Sequence, residues 1–249
     1  ALADETLRIV DGDDLDDEVE MIDLTTKQLA LVPRKVKLAA AGGDPVARAR
    51  LRSEMRLKLL AARYRQIYAV GVSLGGNVLA KYLGEQGSRA LPRAAAVVSA
   101  PVDLTAAGTR FDKGATRLLY TRYFLNTLIP KARAFDFHTE ALARCKTLSD
   151  FDNAFTAPLH GFQNAADYYR RASCKPLLGA IVTPTLLLNA VNDPFLPPEA
   201  LPSEKEVSKA VTLLQPAHGG HVGFVSGHGR GHLNWLPQTL LAYFGAAGA

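Results

Sequence analysis

Four short apolar runs punctuate the chain: Ile67-Tyr68-Ala69-Val70, Ala94-Ala95-Ala96-Val97-Val98-Ser99, Thr183-Pro184-Thr185-Leu186-Leu187-Leu188-Asn189-Ala190 and Ala210-Val211-Thr212-Leu213-Leu214. Their length suits buried strands of a parallel sheet. A helical pattern, Val78-Leu79-Ala80-Lys81-Tyr82-Leu83, follows the first run directly. About eighty residues separate the second run from the third, too many for an ordinary connection, and their pattern is helical. Within them Ala115 to Leu128 is rich in Leu, Tyr and Phe, and Phe135, Phe137, Phe151, Phe155, Phe162, Tyr168 and Tyr169 follow. Further upstream, Leu51, Met55, Leu59 and Ala62 share one face of a helix that Asp44-Pro45 would open and Tyr64 would close. Before it, Lys35 to Ala41 reads as a strand and Gly42-Gly43 as a tight loop. The pattern predicts an α/β fold: a mostly parallel sheet flanked by helices, with a helical cap inserted over about residues 104–180.

Composition agrees with one domain over residues 1–249, since 48% of the 249 residues are hydrophobic and 21% charged. Charge is unevenly placed. Residues 1–23 carry ten acids and one base, whereas residues 33–65 carry ten bases and two acids. That reversal sets off residues 1–34 as a divergent acidic segment. The overall charge of +5 is compatible with peripheral contact to anionic lipid, and solubility explains it without a partner. No combination of basic and aromatic residues suggests nucleic-acid binding. Asp11-Gly12-Asp13-Asp14-Leu15-Asp16-Asp17-Glu18 resembles a calcium loop only superficially, because Leu15, Asp16 and Ile22 occupy positions that need a ligand, a glycine and a glutamate. Cys145 and Cys174 have no metal-ligand neighbours at a recognised spacing and are expected to be reduced. With no leader-like start and no apolar run of about 18 residues, a cytoplasmic chain without a membrane span is expected.

Chemistry enters at Gly71-Val72-Ser73-Leu74-Gly75, a Gly-x-Ser-x-Gly pattern between an apolar run and a helical one. Such a turn holds a serine in a strained conformation that larger neighbours would block, exposing its hydroxyl as a nucleophile. The Leu74 amide, at the start of the helix, would face the oxyanion formed on attack at a carbonyl. A base and an acid are then required in the order Ser, Asp, His. Asp193 lies just past the third apolar run and His221 just past the fourth, at the strand ends where open α/β sheets build their sites. Asp103, following the second run, is the rival acid. His218 is the rival base, with His221 preferred because Gly219-Gly220 allows close backbone approach. His138, His160, His228 and His232 lack such placement. No cofactor or metal is needed for this chemistry.

The chain resembles the YheT-like branch of the α/β-hydrolase superfamily. The resemblance is carried by Tyr68 to Asn77, Lys81-Tyr82-Leu83-Gly84-Glu85, Val98 to Leu104, Phe151 to Phe162, Asp167 to Ser173, Asn192-Asp193-Pro194-Phe195 and His218 to Phe224, and it covers about residues 60–245. It implies a serine esterase or lipase acting on an acyl ester or lipid-like small molecule, with Ser73 as nucleophile, Asp193 as acid and His221 as base. The resemblance fixes no physiological substrate, and the oligomeric state is open. Before residue 60 the chain departs from the family: the upstream His-Gly pair, whose loop donates the second oxyanion amide, does not occur. Gly42 or Gly43 is the substitute the sequence offers. If neither serves, the alternative is a catalytically weak or silent hydrolase fold used for binding. An acyltransferase using the same acyl-enzyme is a third reading.

Overall fold

The computed structural model describes residues 6–8, 21–23, 57–58, 60–114, 120–133 and 139–248. Its centre is a parallel sheet in the order β3 (Tyr68–Val72), β4 (Ala94–Val98), β5 (Thr185–Leu188), β6 (Val211–Leu214). These are the four apolar runs, with β3 continuing two residues further through Gly71-Val72 and the other three trimmed at one or both ends. Every residue of β4 and β5 is buried, which explains why the runs are continuous rather than alternating: both faces of the sheet are covered. A separate pair, β1 (Thr6–Arg8) and β2 (Met21–Asp23), is antiparallel and lies within the acidic segment.

Side-chain alternation along the strands divides the core in two. One face carries Ala69, Ala95, Val97 and Leu187, which pack with Ala80 and Leu83 of helix α1 (Leu74–Gln86) and with Leu178 and Ile181. The other carries Tyr68, Ala96, Val98, Leu186 and Leu188 against Phe224 and the final helix, α7 (Trp235–Gly248). Removing a side chain such as Leu83, wholly inaccessible here, from water stabilises by about 1.5–3 kcal/mol. α1 therefore links β3 to β4 while covering one face.

Between β4 and β5 run α2 (Leu104–Phe111), α3 (Arg122–Arg133), α4 (Thr139–Ala143), α5 (Leu148–Phe151) and α6 (Ala165–Ala172). They enclose a core of their own around Leu125, Ala132, Leu142 and Phe151. Several of these helices are capped by side chains at their N-termini. Asp103 caps α2 by accepting from the amides of Thr105 and Ala106. Thr147 and Asp150 form a capping box on α5, and Asn164 caps α6. Buried Asn77 of α1 ties this block to that helix: its amide nitrogen donates to the Ala172 carbonyl at 2.9 Å, and its oxygen accepts from the Cys174 amide at 2.9 Å.

The strand predicted at Lys35–Ala41, the Gly42-Gly43 loop and most of the helix predicted over 44–64 lie outside the described residues. So do His138, Phe135 and Phe137. Residues 60–63 are helical, in agreement with the end of that helix. Both cysteines are free, and burial pushes the Cys174 thiol up to about 12, which leaves it unreactive. Among the described residues, no helix is long and apolar enough to cross a membrane. No group of three or more His, Cys, Asp or Glu among them could hold a metal ion.

Candidate active site

Ser73 sits between β3 and α1 with φ 54° and ψ −127°, a left-handed conformation that an L residue adopts only under constraint. The constraint is visible. The Ser73 amide donates to the Val98 carbonyl at 2.9 Å, which fastens the turn to the end of β4, and the Ser73 carbonyl accepts from Gly76 at 2.9 Å as α1 begins. A Cβ on Gly71 would lie 2.5 Å from the Gly75 carbonyl oxygen, and one on Gly76 would lie 2.9 Å from both the Ala100 Cβ and the Gly71 carbonyl oxygen. Gly76 is a second steric requirement that the Gly-x-Ser-x-Gly pattern does not include. Leu74 is the first residue of α1, and amides in a first helical turn have no intrahelical partner.

Asp193 follows β5 in a tight turn, with its amide donating to the Ala190 carbonyl at 3.2 Å. Its two oxygens have different tasks. Oδ1 accepts from the Phe195 amide at 2.9 Å, and Oδ2 is 2.8 Å from Nδ1 of His221. The carboxylate thus shapes its own turn, as an Asp before proline is expected to, and still reaches the histidine. Nε2 of His221 is 2.9 Å from the Ser73 hydroxyl oxygen. The Asp193 side chain is 1% exposed and that of His221 18%, so the carboxylate is dry and the imidazole keeps limited access to solvent. The Phe195 ring packs edge-on against the imidazole, with centroids 4.5 Å apart.

Three residues separated by as many as 148 positions are therefore joined in one chain of hydrogen bonds. Asp103, the rival acid, is occupied as the α2 cap. His218 is exposed and is not part of the Ser73–His221–Asp193 chain. His232 is engaged with Ser226. Gly219 is needed for close approach, though not to the serine turn: a Cβ there would lie 2.5 Å from the Phe224 ring and 2.9 Å from the Ala190 Cβ. Gly220 has φ 62°.

The aromatic residues divide. Phe111, Tyr120 and Phe124 gather around Phe195, with Phe111 and Tyr120 each 4.8 Å from its ring, so an aromatic wall backs the imidazole. Phe151 and Phe155 instead pack on each other in the helical block, and Phe162, Tyr168 and Tyr169 form another group. Sequence reasoning passed over Ser99 and gave Asn192 and Phe195 no separate part. Their signal was position alone: Ser99 ends a predicted strand, and the other two flank Asp193.

With a parallel sheet, a strained serine at the strand-to-helix turn and the Asp–His pair beyond two later strands in place, the class of protein is defined, and comparison bears it out. Residues 51–227 match the model of the alpha/beta hydrolase fold family, and the chain belongs to that family. It is similar to the Escherichia coli (strain K12) protein named "Putative esterase YheT", 36% identical over 72% of this chain and 56% of that one, in keeping with the YheT-like resemblance. Human "Phospholipase ABHD3" is 34% identical over 64% of this chain and 41% of its own. The Saccharomyces cerevisiae "Monoacylglycerol lipase" is 33% identical over 72% and 42%. The chain thus spans about half the length of these curated relatives.

Proposed function

We propose that the protein is a serine hydrolase that cleaves carboxylic esters through an acyl-enzyme, with Ser73, His221 and Asp193 as its triad. The observation that carries this reading is the continuous hydrogen-bond chain from Ser73 Oγ to His221 Nε2 and from Nδ1 to Asp193 Oδ2, at 2.9 and 2.8 Å. Ser73 Oγ attacks the ester carbonyl carbon while Nε2 takes its proton. Asp193 orients the imidazole and stabilises its charged form. The tetrahedral intermediate places its oxyanion toward the Leu74 amide at the start of α1. As the intermediate collapses, the carbon–oxygen bond to the leaving alcohol breaks and His221 gives that alcohol the proton. A water molecule, deprotonated by His221, then hydrolyses the acyl-serine and restores the hydroxyl.

The relatives are named for ester and lipid cleavage, and the aromatic wall around Phe195 suits an apolar acyl or alcohol group better than a charged one. An acyl ester or lipid-like small molecule is therefore the substrate class we propose. The helices from Leu104 to Ala172 would act as a cap over the sheet edge that carries the triad, within one domain. The second oxyanion donor is unassigned, and Gly42 and Gly43, the substitutes the sequence offers, lie outside the described residues. A weak or silent hydrolase fold is the competing reading, because removal of one such donor costs about 100- to 1000-fold in rate. Covalent labelling by a fluorophosphonate probe separates the two. Labelling and short-chain ester turnover in the wild type, both abolished by Ser73→Ala, support the working enzyme. An unlabelled wild type supports the silent fold, and equal labelling of both proteins removes Ser73 as nucleophile.

A further inference from the structure

His221 is connected to the fold by more than its imidazole. At the end of β4, Ser99 has φ 50° and its side chain is buried, yet its hydroxyl donates to the backbone carbonyl of His221. The preceding residue, Val98, gives its own carbonyl to the Ser73 amide at 2.9 Å. One strand end therefore grips the nucleophile turn on one side and the histidine on the other. A second connection comes from Asn192, next to Asp193: its side-chain oxygen accepts from the amides of Gly219 at 3.0 Å and Gly220 at 2.9 Å. That joins the acid's turn to the two residues before His221. These contacts fix backbone positions, and none of them uses an atom that exchanges a proton.

We infer that Ser99 and Asn192 are positioning residues that clasp the backbone at His221 and at the two residues before it, so that the imidazole keeps its place when its bond to Ser73 is lost. The inference rests on the triad reading. Once Ser73 is acylated its oxygen no longer donates to Nε2, and among the described residues the imidazole keeps one hydrogen-bond partner, Asp193, beside the packed ring of Phe195. A backbone free to drift would carry Nε2 away from the incoming water, and a displacement of about 1 Å costs about 100-fold in rate. The clasp also accounts for the strain at Ser99. A buried serine in the left-handed region persists only where the surroundings over-determine it, and such strain gathers at functional sites.

The test compares Asn192→Ala, Asn192→Asp and Ser99→Ala with wild type, with turnover expressed per site titrated by prolonged fluorophosphonate labelling, and with His221→Ala, whose turnover is expressed per folded protein. Normalising to labelled sites removes any unfolded fraction, so a merely structural role would leave the corrected kcat unchanged. Asn192→Ala and Ser99→Ala are expected to lower kcat by about 10- to 100-fold with KM nearly constant. Asn192→Asp keeps an acceptor oxygen in place and is expected to recover most of the loss. Wild-type corrected kcat in Asn192→Ala and Ser99→Ala, a change confined to KM, or no recovery in Asn192→Asp overturns the clasp. If His221→Ala stays active, the triad reading falls and the clasp with it. An inactive His221→Ala beside fully active Asn192 and Ser99 variants removes the clasp alone. Should Asn192→Ala fail to fold, Asn192→Gln, which moves the same group by one methylene, is read in its place.

Discussion

Gly71→Ala tests the geometry of the serine turn with a single methyl group. The added Cβ would stand 2.5 Å from the Gly75 carbonyl oxygen, 2.8 Å from the Gly76 Cα and 2.9 Å from the Gly75 carbonyl carbon. All three are backbone atoms, so no flexible side chain can swing away. Restoring ordinary separations of about 3.5 Å requires the turn to open by roughly 0.6–1 Å. Two consequences follow from that figure. Overpacking of this kind destabilises by about 1–3 kcal/mol, which at about 2–4 °C per kcal/mol for a chain of this size lowers Tm by roughly 2–12 °C. Moving Ser73 by about 1 Å relative to His221 should cost about 100-fold in kcat. Short-chain ester turnover and thermal melting read both effects, and the initial rate of fluorophosphonate labelling reports on the nucleophile separately. Gly161→Ala is the control: its φ of 71° is unfavourable to alanine, but the added Cβ would meet nothing within 4 Å. It should cost about 1–2 kcal/mol of backbone strain and leave kcat intact. Wild-type labelling and turnover in Gly71→Ala would refute the close-packed turn as the reason for glycine there.

Asn77→Ala strips partners from the Ala172 carbonyl and the Cys174 amide, and should destabilise by about 1–3 kcal/mol for each group left unpaired, measured by urea unfolding. Leu142→Ala, at a wholly buried site among the helices between β4 and β5, should cost about 2–5 kcal/mol in the same assay. Burial raises the carboxyl of Asp152, and nearby Asp112 adds to the effect. The folded state therefore holds the proton more tightly than the unfolded chain, and stability is lost as pH climbs from the ordinary carboxylate range through the raised folded value. Asp152→Asn, which keeps an acceptor for the Tyr169 hydroxyl now bonded at 2.6 Å, should melt above wild type at neutral pH, with the advantage shrinking on acidification; a constant difference across pH would contradict the linkage. His221→Ala should abolish turnover while His218→Ala, at an exposed position, retains it, and the reverse result would exchange their assignments.

Local chemistry was legible from residues alone. Continuous apolar runs marked β3 to β6 because a strand covered on both faces has no polar side to display. The serine turn was legible because its strain admits few residues. Order along the chain also brought Asp193 and His221 forward as partners for Ser73, since each follows a strand. Order favoured Asp193 over Asp103 without showing what either carboxylate touches. Both are aspartates just beyond strands, and only the three-dimensional arrangement leaves one capping α2 while the other faces His221. The same holds for Gly76, whose need for glycine arises from Ala100 on a neighbouring segment. It holds again for Ser99 and Asn192, whose hydroxyl and amide oxygen reach backbone groups of a loop 122 and 27–28 residues further on. A propensity or a pattern records what a residue does to its own few neighbours. Hydrogen bonds and steric contacts between distant segments depend on how the strands are registered side by side, and that is settled only when the sheet has formed.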